Sequence, residues 1–293
     1  MNVEAGVALA RHTTLGTGGP ARGFIRVASG EDLDQALAFA ERTDAPAAVV
    51  GLGSNLLVAD EGIDRIVLKL EQELARIEID GTRVVAGGGA TNAVVLHRAR
   101  AAGLGGFEFA CAIPGTIGGG VFMNAGAYGG DFAQVLERAL VVSAAGSRWL
   151  TPDELGLAYR HSGLRDGDIV ARVELRLESR PVEEIKAKVA GLQAQRKAAQ
   201  PTNRRTFGSV FKNPEHELTA GKMLEACGLK GHRIGGAQIS PLHANFIENA
   251  GGARSADAVA LMVEARRRAF EEFGVELRHE VRFLGLPELP PVT

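Results

Sequence analysis

Residues 113–129 read Ile113-Pro114-Gly115-Thr116-Ile117-Gly118-Gly119-Gly120-Val121-Phe122-Met123-Asn124-Ala125-Gly126-Ala127-Tyr128-Gly129. Pro114 fixes the entry of the chain, Thr116 offers a hydroxyl, and three consecutive glycines expose main-chain donors to anything lying against them. Asn124 and a second glycine cluster extend the same surface. The bland reading is a glycine-rich helix-packing turn, in which small residues only let two backbones approach. Regularity over seventeen residues favours a ligand surface. The wider composition agrees: 38 of 293 residues are glycine, about 13% against a usual value near 7%. Seventeen of them lie between Gly51 and Gly130, threaded among Val, Ile, Phe and Leu, which describes ordered backbone and not a linker.

Upstream, Val49-Val50-Gly51-Leu52-Gly53-Ser54-Asn55-Leu56-Leu57-Val58 places two glycines and a serine directly after an apolar strand. Backbone N–H groups can converge there without Cβ obstruction, a concavity suited to a phosphate oxygen. The segment lacks the Lys-Ser/Thr ending of a P-loop and the full spacing of a dinucleotide fingerprint, so alone it reads equally as a tight turn. Gly23 to Val27 and Ala47 to Leu52 are strand candidates flanking a helix over about 31–42, for which Ser29 and Asp32 resemble a capping box. This is a β-α-β unit. Strands are expected at Ile66 to Leu70, Leu74 to Ile79 and Arg83 to Ala86, the last two joined by an Asp80-Gly81 hairpin. Thr91 caps a helix running to Ala102 and stopped by Gly103.

Downstream, Ala139 to Ser143 and Ser147 to Leu150 form a hairpin, Thr151-Pro152 opens one short helix, and Ile169 to Glu178 alternates like a half-buried strand. A charged helix from about Val182 to Gln200 ends at Pro201, the candidate domain boundary. The last ninety or so residues read as a strand, a helix over Ala220 to Cys227, short strands around Ala237 and Phe246, a helix from Ser255 to Phe273 stopped by Gly274, and a strand Leu277 to Leu284. Hairpins without regular βα alternation make the class α+β.

Composition excludes several functions. Hydrophobic residues are 45% and charged residues 23%, ordinary for a globular chain, and a formal net charge of −2 gives no footprint for nucleic acid or anionic lipid. Cys111 and Cys227 have no metal-ligand spacing, so no metal site is expected, and a reducing compartment is the natural reading. No basic leader and no run of about 18 apolar residues appears, which points to a cytoplasmic protein with no membrane partner.

A third segment, Phe207-Gly208-Ser209-Val210-Phe211-Lys212-Asn213-Pro214, sets a serine beside a cation and an amide on a short strand. Alone it is a loop serine. Strand alternation would point Ser209, Phe211 and Asn213 to one side and Val210 and Lys212 to the other. His243 and Asn245 are weaker candidates, since a loop histidine is more often structural.

Together the segments resemble the UDP-N-acetylenolpyruvoylglucosamine reductase family. The resemblance runs through Thr13 to Ala21, the two glycine segments, Tyr159-Arg160-His161-Ser162, Gln200-Pro201, Gly208 to Pro214, His243 to Phe246 and His279 to Gly285. It implies an FAD-binding region of the vanillyl-alcohol-oxidase type over residues 1–198, in two subdomains of about 1–70 and 71–198. A C-terminal α+β substrate domain would follow over 199–293. It implies non-covalent FAD, NADPH as co-substrate and a nucleotide-sugar substrate; a monomer is expected. No room exists between Glu178 and Gln200 for the tyrosine-bearing insertion of one branch, so the chain resembles the short branch.

By position, the resemblance implies Ser209 as proton donor, with Arg160 and Glu280 stabilising an enolate-like intermediate. It implies FAD contacts at Gly51, Gly53, Ser54, Asn55, Leu56, Pro114, Gly115, Thr116, Gly118, Gly119, Asn124, Gly126 and Ala127, and substrate contacts at Tyr159, Lys212 and Asn213. A serine is a poor acid in water, but a basic carbon held beside it in a dry pocket can take its proton. Arg160 stays charged and can pair a carboxylate. Glu280 would repel an enolate unless protonated or hydrogen bonded, and otherwise reads as a strand-edge carboxylate paired with Arg278 or Arg282. Two competitors stand beside the reductase. A hydroxy-compound oxidase on the same scaffold would have no use for Gly208 to Pro214 with Glu280, and a binding module would show no turnover.

Overall fold

A computed structural model describes residues 1–143 and 145–292. The chain forms two compact units, each discontinuous in sequence. One comprises Met1–Ala5, Gly23–Leu52 and Arg65–Arg196, the other Gly6–Arg22, Gly53–Asp64 and the residues from Lys197 onward.

In the first unit the expected β-α-β element is present. Its strands Ala21–Val27 and Ala47–Val49 flank the helix along the chain, and Ile63–Leu70 lies between them in the sheet, parallel to Ala47–Val49 with Ala47 opposite Ile66. Between the flanking strands runs the helix Gly30–Arg42, which buries Leu33, Ala36 and Ala40. Ser29 Oγ accepts the Asp32 N–H at 3.1 Å. The Asp32 carboxylate reaches back one residue beyond the cap, to the Ala28 N–H at 3.1 Å, so the cap is closed from both sides.

A five-stranded antiparallel sheet follows, ordered Gly146–Leu150, Leu136–Ser143, Ile169–Arg176, Arg83–Gly87, Ile77–Asp80. The Asp80-Gly81 hairpin forms with Asp80 opposite Arg83 and Gly81 at φ +56°. Three expectations need correction here. Leu74 lies in a 3-10 turn, Gln72–Ala75, and the strand begins only at Ile77. The Leu74 carbonyl accepts the Gly89 N–H at 2.8 Å, which holds that residue out of the ladder. The segment opened by Thr151-Pro152 is a turn, not a helix: the Leu155 N–H reaches the Thr151 carbonyl at 2.9 Å, but the chain turns away at Gly156, φ +56°. The long strand ends at Arg176, not Glu178.

Helices Asn92–Ala101 and Ile117–Phe122 both start at threonine caps, Thr91 and Thr116. The second is pressed against its surroundings. A Cβ on Gly118 would lie 2.9 Å from the carbonyls of Gly88 and Val170, and one on Gly120 would lie 2.3 Å from the Phe132 ring. Phe132 joins Phe107 and Phe109 in an edge-to-face cluster with centroids 5.3 to 6.1 Å apart.

The second unit packs helices Ala220–Ala226 and Ser255–Phe273 with a sheet ordered Thr206–Ser209, Phe246–Asn249, Ala237–Ile239, Arg233–Ile234. Gly274 closes the long helix in the left-handed region, φ +65°. The expected strand Leu277 to Leu284 narrows to Arg282–Leu284, which pairs in parallel with Leu56–Val58. Before it, the Leu277 carbonyl is drawn to buried Arg266 at 3.0 Å.

Candidate active site

In the first unit the two glycine segments meet. A Cβ on Gly51 would sit 2.6 Å from Thr116 Oγ1, so only glycine lets the strand end close on the cap of helix Ile117–Phe122. Beneath this junction Lys69 donates to the Gly51 carbonyl, and burial lowers the lysine pKa from its ordinary value, with Glu71 opposing the shift. Gly115 has φ +151°, and among the described residues no hydrogen bond takes up its N–H or that of Thr116. Gly119 is exposed, and its Cβ position meets only Thr116 Oγ1 at 3.5 Å. The run of three glycines therefore divides. Gly118 and Gly120 are packing positions, with the Gly118 N–H bonded to the Gly88 carbonyl at 2.9 Å, whereas Gly119 faces open space.

Arg160 sits in a two-residue turn. Ala158 and His161 exchange both backbone hydrogen bonds (3.0 and 3.1 Å), leaving Tyr159 and Arg160 at the tip. Arg160 adopts φ +51°, rare for a residue with a side chain. Its Nη2 donates to the Gly126 carbonyl at 2.5 Å, and the guanidinium carbon stands 5.2 Å from the Tyr159 ring centroid. Gly126 and Ala127 form a small hairpin with Gly130 and Asp131. Asn124, expected at the cofactor, is 2% exposed, and both ends of its amide are bonded within the protein.

In the second unit Gly53 has φ +67°, and a Cβ there would fall 2.0 Å from the His12 carbonyl. Its own carbonyl accepts the N–H and hydroxyl of Thr14 (3.1 and 3.2 Å). Among the described residues the N–H groups of Gly53 and Asn55 meet no acceptor. Gly53→Val should therefore destabilise the protein by roughly 3 kcal/mol or more, from left-handed strain and overpacking together, and a thermal melt reads the loss.

Glu280 is bonded to the residue that follows Ser209. The Glu280 N–H donates to the carbonyl of Val210, the residue after Ser209, at 2.9 Å. The Glu280 carbonyl accepts the Asn55 side-chain amide at 3.0 Å, and Asn55 returns its own carbonyl to the Arg282 N–H at 2.9 Å. Asn55 was expected as a cofactor contact; its side chain also fixes the backbone of Glu280. Sequence reading missed that role, since 225 residues separate the two.

The alternation expected past Ser209 does not hold. The strand ends at Ser209, the register shifts between Thr206 and Ser209, and Gly208 takes φ +84°. Val210 and Phe211 are both buried. Asn245 bridges the Phe211 backbone, accepting its N–H at 2.9 Å and donating to its carbonyl at 2.8 Å, in place of a neighbouring strand. Asn213 Oδ1 takes the Ala220 N–H at 3.1 Å, and the Lys212 N–H goes to the Arg278 carbonyl at 2.9 Å. Burial lowers the pKa of His243, and its Nδ1 accepts the Asn245 N–H at 3.2 Å.

Residues 21–151 match the FAD binding domain family, and residues 200–284 match the UDP-N-acetylenolpyruvoylglucosamine reductase C-terminal domain. UDP-N-acetylenolpyruvoylglucosamine reductase 2 of Symbiobacterium thermophilum is 45% identical over 290 residues, covering 97% of this chain and 92% of the relative. The chain belongs to the UDP-N-acetylenolpyruvoylglucosamine reductase family. The Anaeromyxobacter dehalogenans reductase is 44% identical over 283 residues, 97% of this chain and 85% of its own length. The crystal structure of the Thermus caldophilus reductase aligns at a TM-score of 0.85 with 40% identity, covering 97% of this chain and 99% of that one. The α+β FAD-binding architecture expected from the sequence is thus the family's own. Among the described residues no group of three metal-ligating side chains is found, and no helix is long and apolar enough to cross a membrane.

Proposed function

We propose that this chain reduces UDP-N-acetylenolpyruvoylglucosamine to UDP-N-acetylmuramate with NADPH through bound FAD, a step of peptidoglycan precursor synthesis. Membership of the reductase family carries this reading, and the backbone bond from the Glu280 N–H to Val210, the residue after Ser209, supports it.

The residues present fit a flavin. Gly119 leaves open backbone beside the Thr116 cap, and among the described residues the N–H groups of Gly115, Gly53 and Asn55 meet no acceptor, as donors to phosphate oxygens would. Gly51 to Leu56, Pro114 to Gly119, and Gly126 with Ala127 would hold FAD without a covalent bond. The chemistry supplied by bound FAD is hydride transfer from NADPH to the enolpyruvyl carbon. Around it the chain's own groups do the rest. Ser209 Oγ gives a proton to the neighbouring carbon, and Arg160 pairs the substrate carboxylate as negative charge develops. Glu280 stands by in protonated or hydrogen-bonded form. Tyr159, Lys212 and Asn213 meet the nucleotide sugar. Residues 1–198 act as the FAD-binding region and 199–293 as the substrate-binding domain, in a cytoplasmic monomer.

The test is an absorbance spectrum of the purified protein, then NADPH oxidation with and without the enolpyruvyl substrate. A flavin spectrum, release of FAD on denaturation and substrate-dependent oxidation are expected. Protein that stays colourless after FAD addition sinks the assignment, and flavin retained through denaturation points to a covalent oxidase. Gly119→Ala tests the cradle directly. It should fold normally, because its Cβ meets no backbone, yet weaken FAD binding roughly tenfold, about 1.4 kcal/mol, in a fluorescence titration. Undiminished affinity removes Gly119 from the site.

A further inference from the structure

Three side-chain hydrogen bonds join residues 122–126 to residues 158–162, one at every second position. Ser162 Oγ donates to the Phe122 carbonyl at 2.6 Å, Asn124 Nδ2 to the Ala158 carbonyl at 2.9 Å, and Arg160 Nη2 to the Gly126 carbonyl at 2.5 Å. Asn124 is the middle rung. Its Oδ1 accepts the Ala133 N–H at 2.9 Å, and its backbone N–H goes to the Val121 carbonyl at 3.0 Å. An asparagine 2% exposed and bonded at both ends of its amide has little left to offer a cofactor.

What it does hold is the base of the Arg160 turn. The Ala158 carbonyl also receives the His161 N–H that closes that turn at 3.1 Å. Arg160 at the tip and Asn124 itself both occupy the left-handed region, at φ +51° and φ +40°. Such conformations persist at residues with side chains only where the surroundings over-determine them, and they gather at functional sites. Here the over-determination is the ladder. A guanidinium carried on an unsupported two-residue turn would swing with it, whereas this one is tied to Gly126 at its head and through Ala158 at its base.

We propose that Asn124 is a positioning residue for Arg160: its amide locks the 158–161 turn and so fixes where the guanidinium meets the substrate carboxylate. The proposal rests on the reading above that Arg160 pairs that carboxylate. Misplacing such a group by about 1 Å costs on the order of 100-fold in rate.

The experiment uses FAD-loaded protein. Asn124→Asp keeps the acceptor for Ala133 and replaces the donor to Ala158 with a second oxygen. Expected are unchanged flavin content, near-normal flavin reduction by NADPH, and reoxidation by the enolpyruvyl substrate slowed roughly 10- to 100-fold. Amide hydrogen exchange in a peptide spanning 158–162 should quicken at the same time, a readout independent of turnover. Ser162→Ala, which removes only the adjacent rung, should move both measures the same way by less, and it carries the test if Asn124→Asp fails to fold. Arg160→Lys separates this proposal from the reading beneath it. If Arg160→Lys slows reoxidation while Asn124→Asp leaves reoxidation and exchange at wild-type values, Asn124 has no positioning role. Loss of flavin in Asn124→Asp would make it a cofactor contact and overturn the proposal. Wild-type reoxidation in Arg160→Lys overturns the reading of Arg160, and the proposal with it. The double variant should be no slower than Arg160→Lys alone, because both act through one group; multiplied losses would show independent roles and also overturn the proposal.

Discussion

In Ser209→Ala, reoxidation of reduced flavin by the enolpyruvyl substrate is expected to fall roughly 10²- to 10⁴-fold, the usual contribution of a positioned acid. Flavin should stay bound and its reduction by NADPH should be nearly intact, because the hydroxyl serves only the second half-reaction. The local structure makes this a clean substitution. Ser209 pairs with Phe246 through its backbone, and the next residue carries the Val210 carbonyl that receives the Glu280 N–H. Neither contact involves Oγ. Alanine therefore removes the proton without loosening the strand end or the segment bearing Glu280. Stopped-flow absorbance of each half-reaction checks the split. Equal slowing of both would make Ser209 structural and leave the proton to another group.

The division between what the sequence discloses and what it hides follows from the range of the interactions involved. The helix Gly30–Arg42 and the strands on either side of it along the chain, Ala21–Val27 and Ala47–Val49, are local: a serine cap, apolar spacing and a short apolar run lie within thirty residues, so the pattern suffices. The glycine segments were legible as unusual backbone, but a glycine's neighbours decide its purpose. Gly118 and Gly119 are adjacent and alike in sequence, yet one abuts the Gly88 and Val170 carbonyls and the other faces open space. Only the fold of distant strands draws that distinction. The turn bearing Arg160 was invisible for a different reason: Tyr159-Arg160 contains no glycine, asparagine or aspartate, and the bond from Asn124 to the Ala158 carbonyl at the base of the turn spans 34 residues. In the same way Gly53–Asp64 joins the unit built mainly from Lys197 onward. Nothing in the pattern of a strand end and a glycine turn foretells that its partner is the last strand of the chain. The strand expected at Leu277 to Leu284 has apolar alternation enough, but buried Arg266 takes the Leu277 carbonyl, and a side chain from a helix replaces the ladder.

Glu280 is the residue for which the catalytic and the bland readings differ most sharply, and Glu280→Gln separates them. Its backbone is pinned on both sides, by the Val210 carbonyl and by the Asn55 amide, and neither bond depends on the carboxyl group. Glutamine preserves the shape and hydrogen-bonding capacity of the side chain but cannot exchange a proton or carry charge. If Glu280 acts beside the developing enolate, the substrate half-reaction should slow on the order of 10²-fold or more, flavin reduction by NADPH should be largely spared, and the melting temperature should barely move. If instead the carboxylate only pairs with Arg278 or Arg282 at a solvated strand edge, turnover should be normal and stability should change by no more than about 1 kcal/mol, since exposed ion pairs contribute little. The two outcomes cannot mimic each other, because one appears in a single half-reaction and the other only in the melt. Wild-type reoxidation in the glutamine variant would take Glu280 out of the mechanism. Charge stabilisation would then fall to Arg160 and proton delivery to Ser209, and the substitution at Ser209 would have to account for the whole proton-dependent loss.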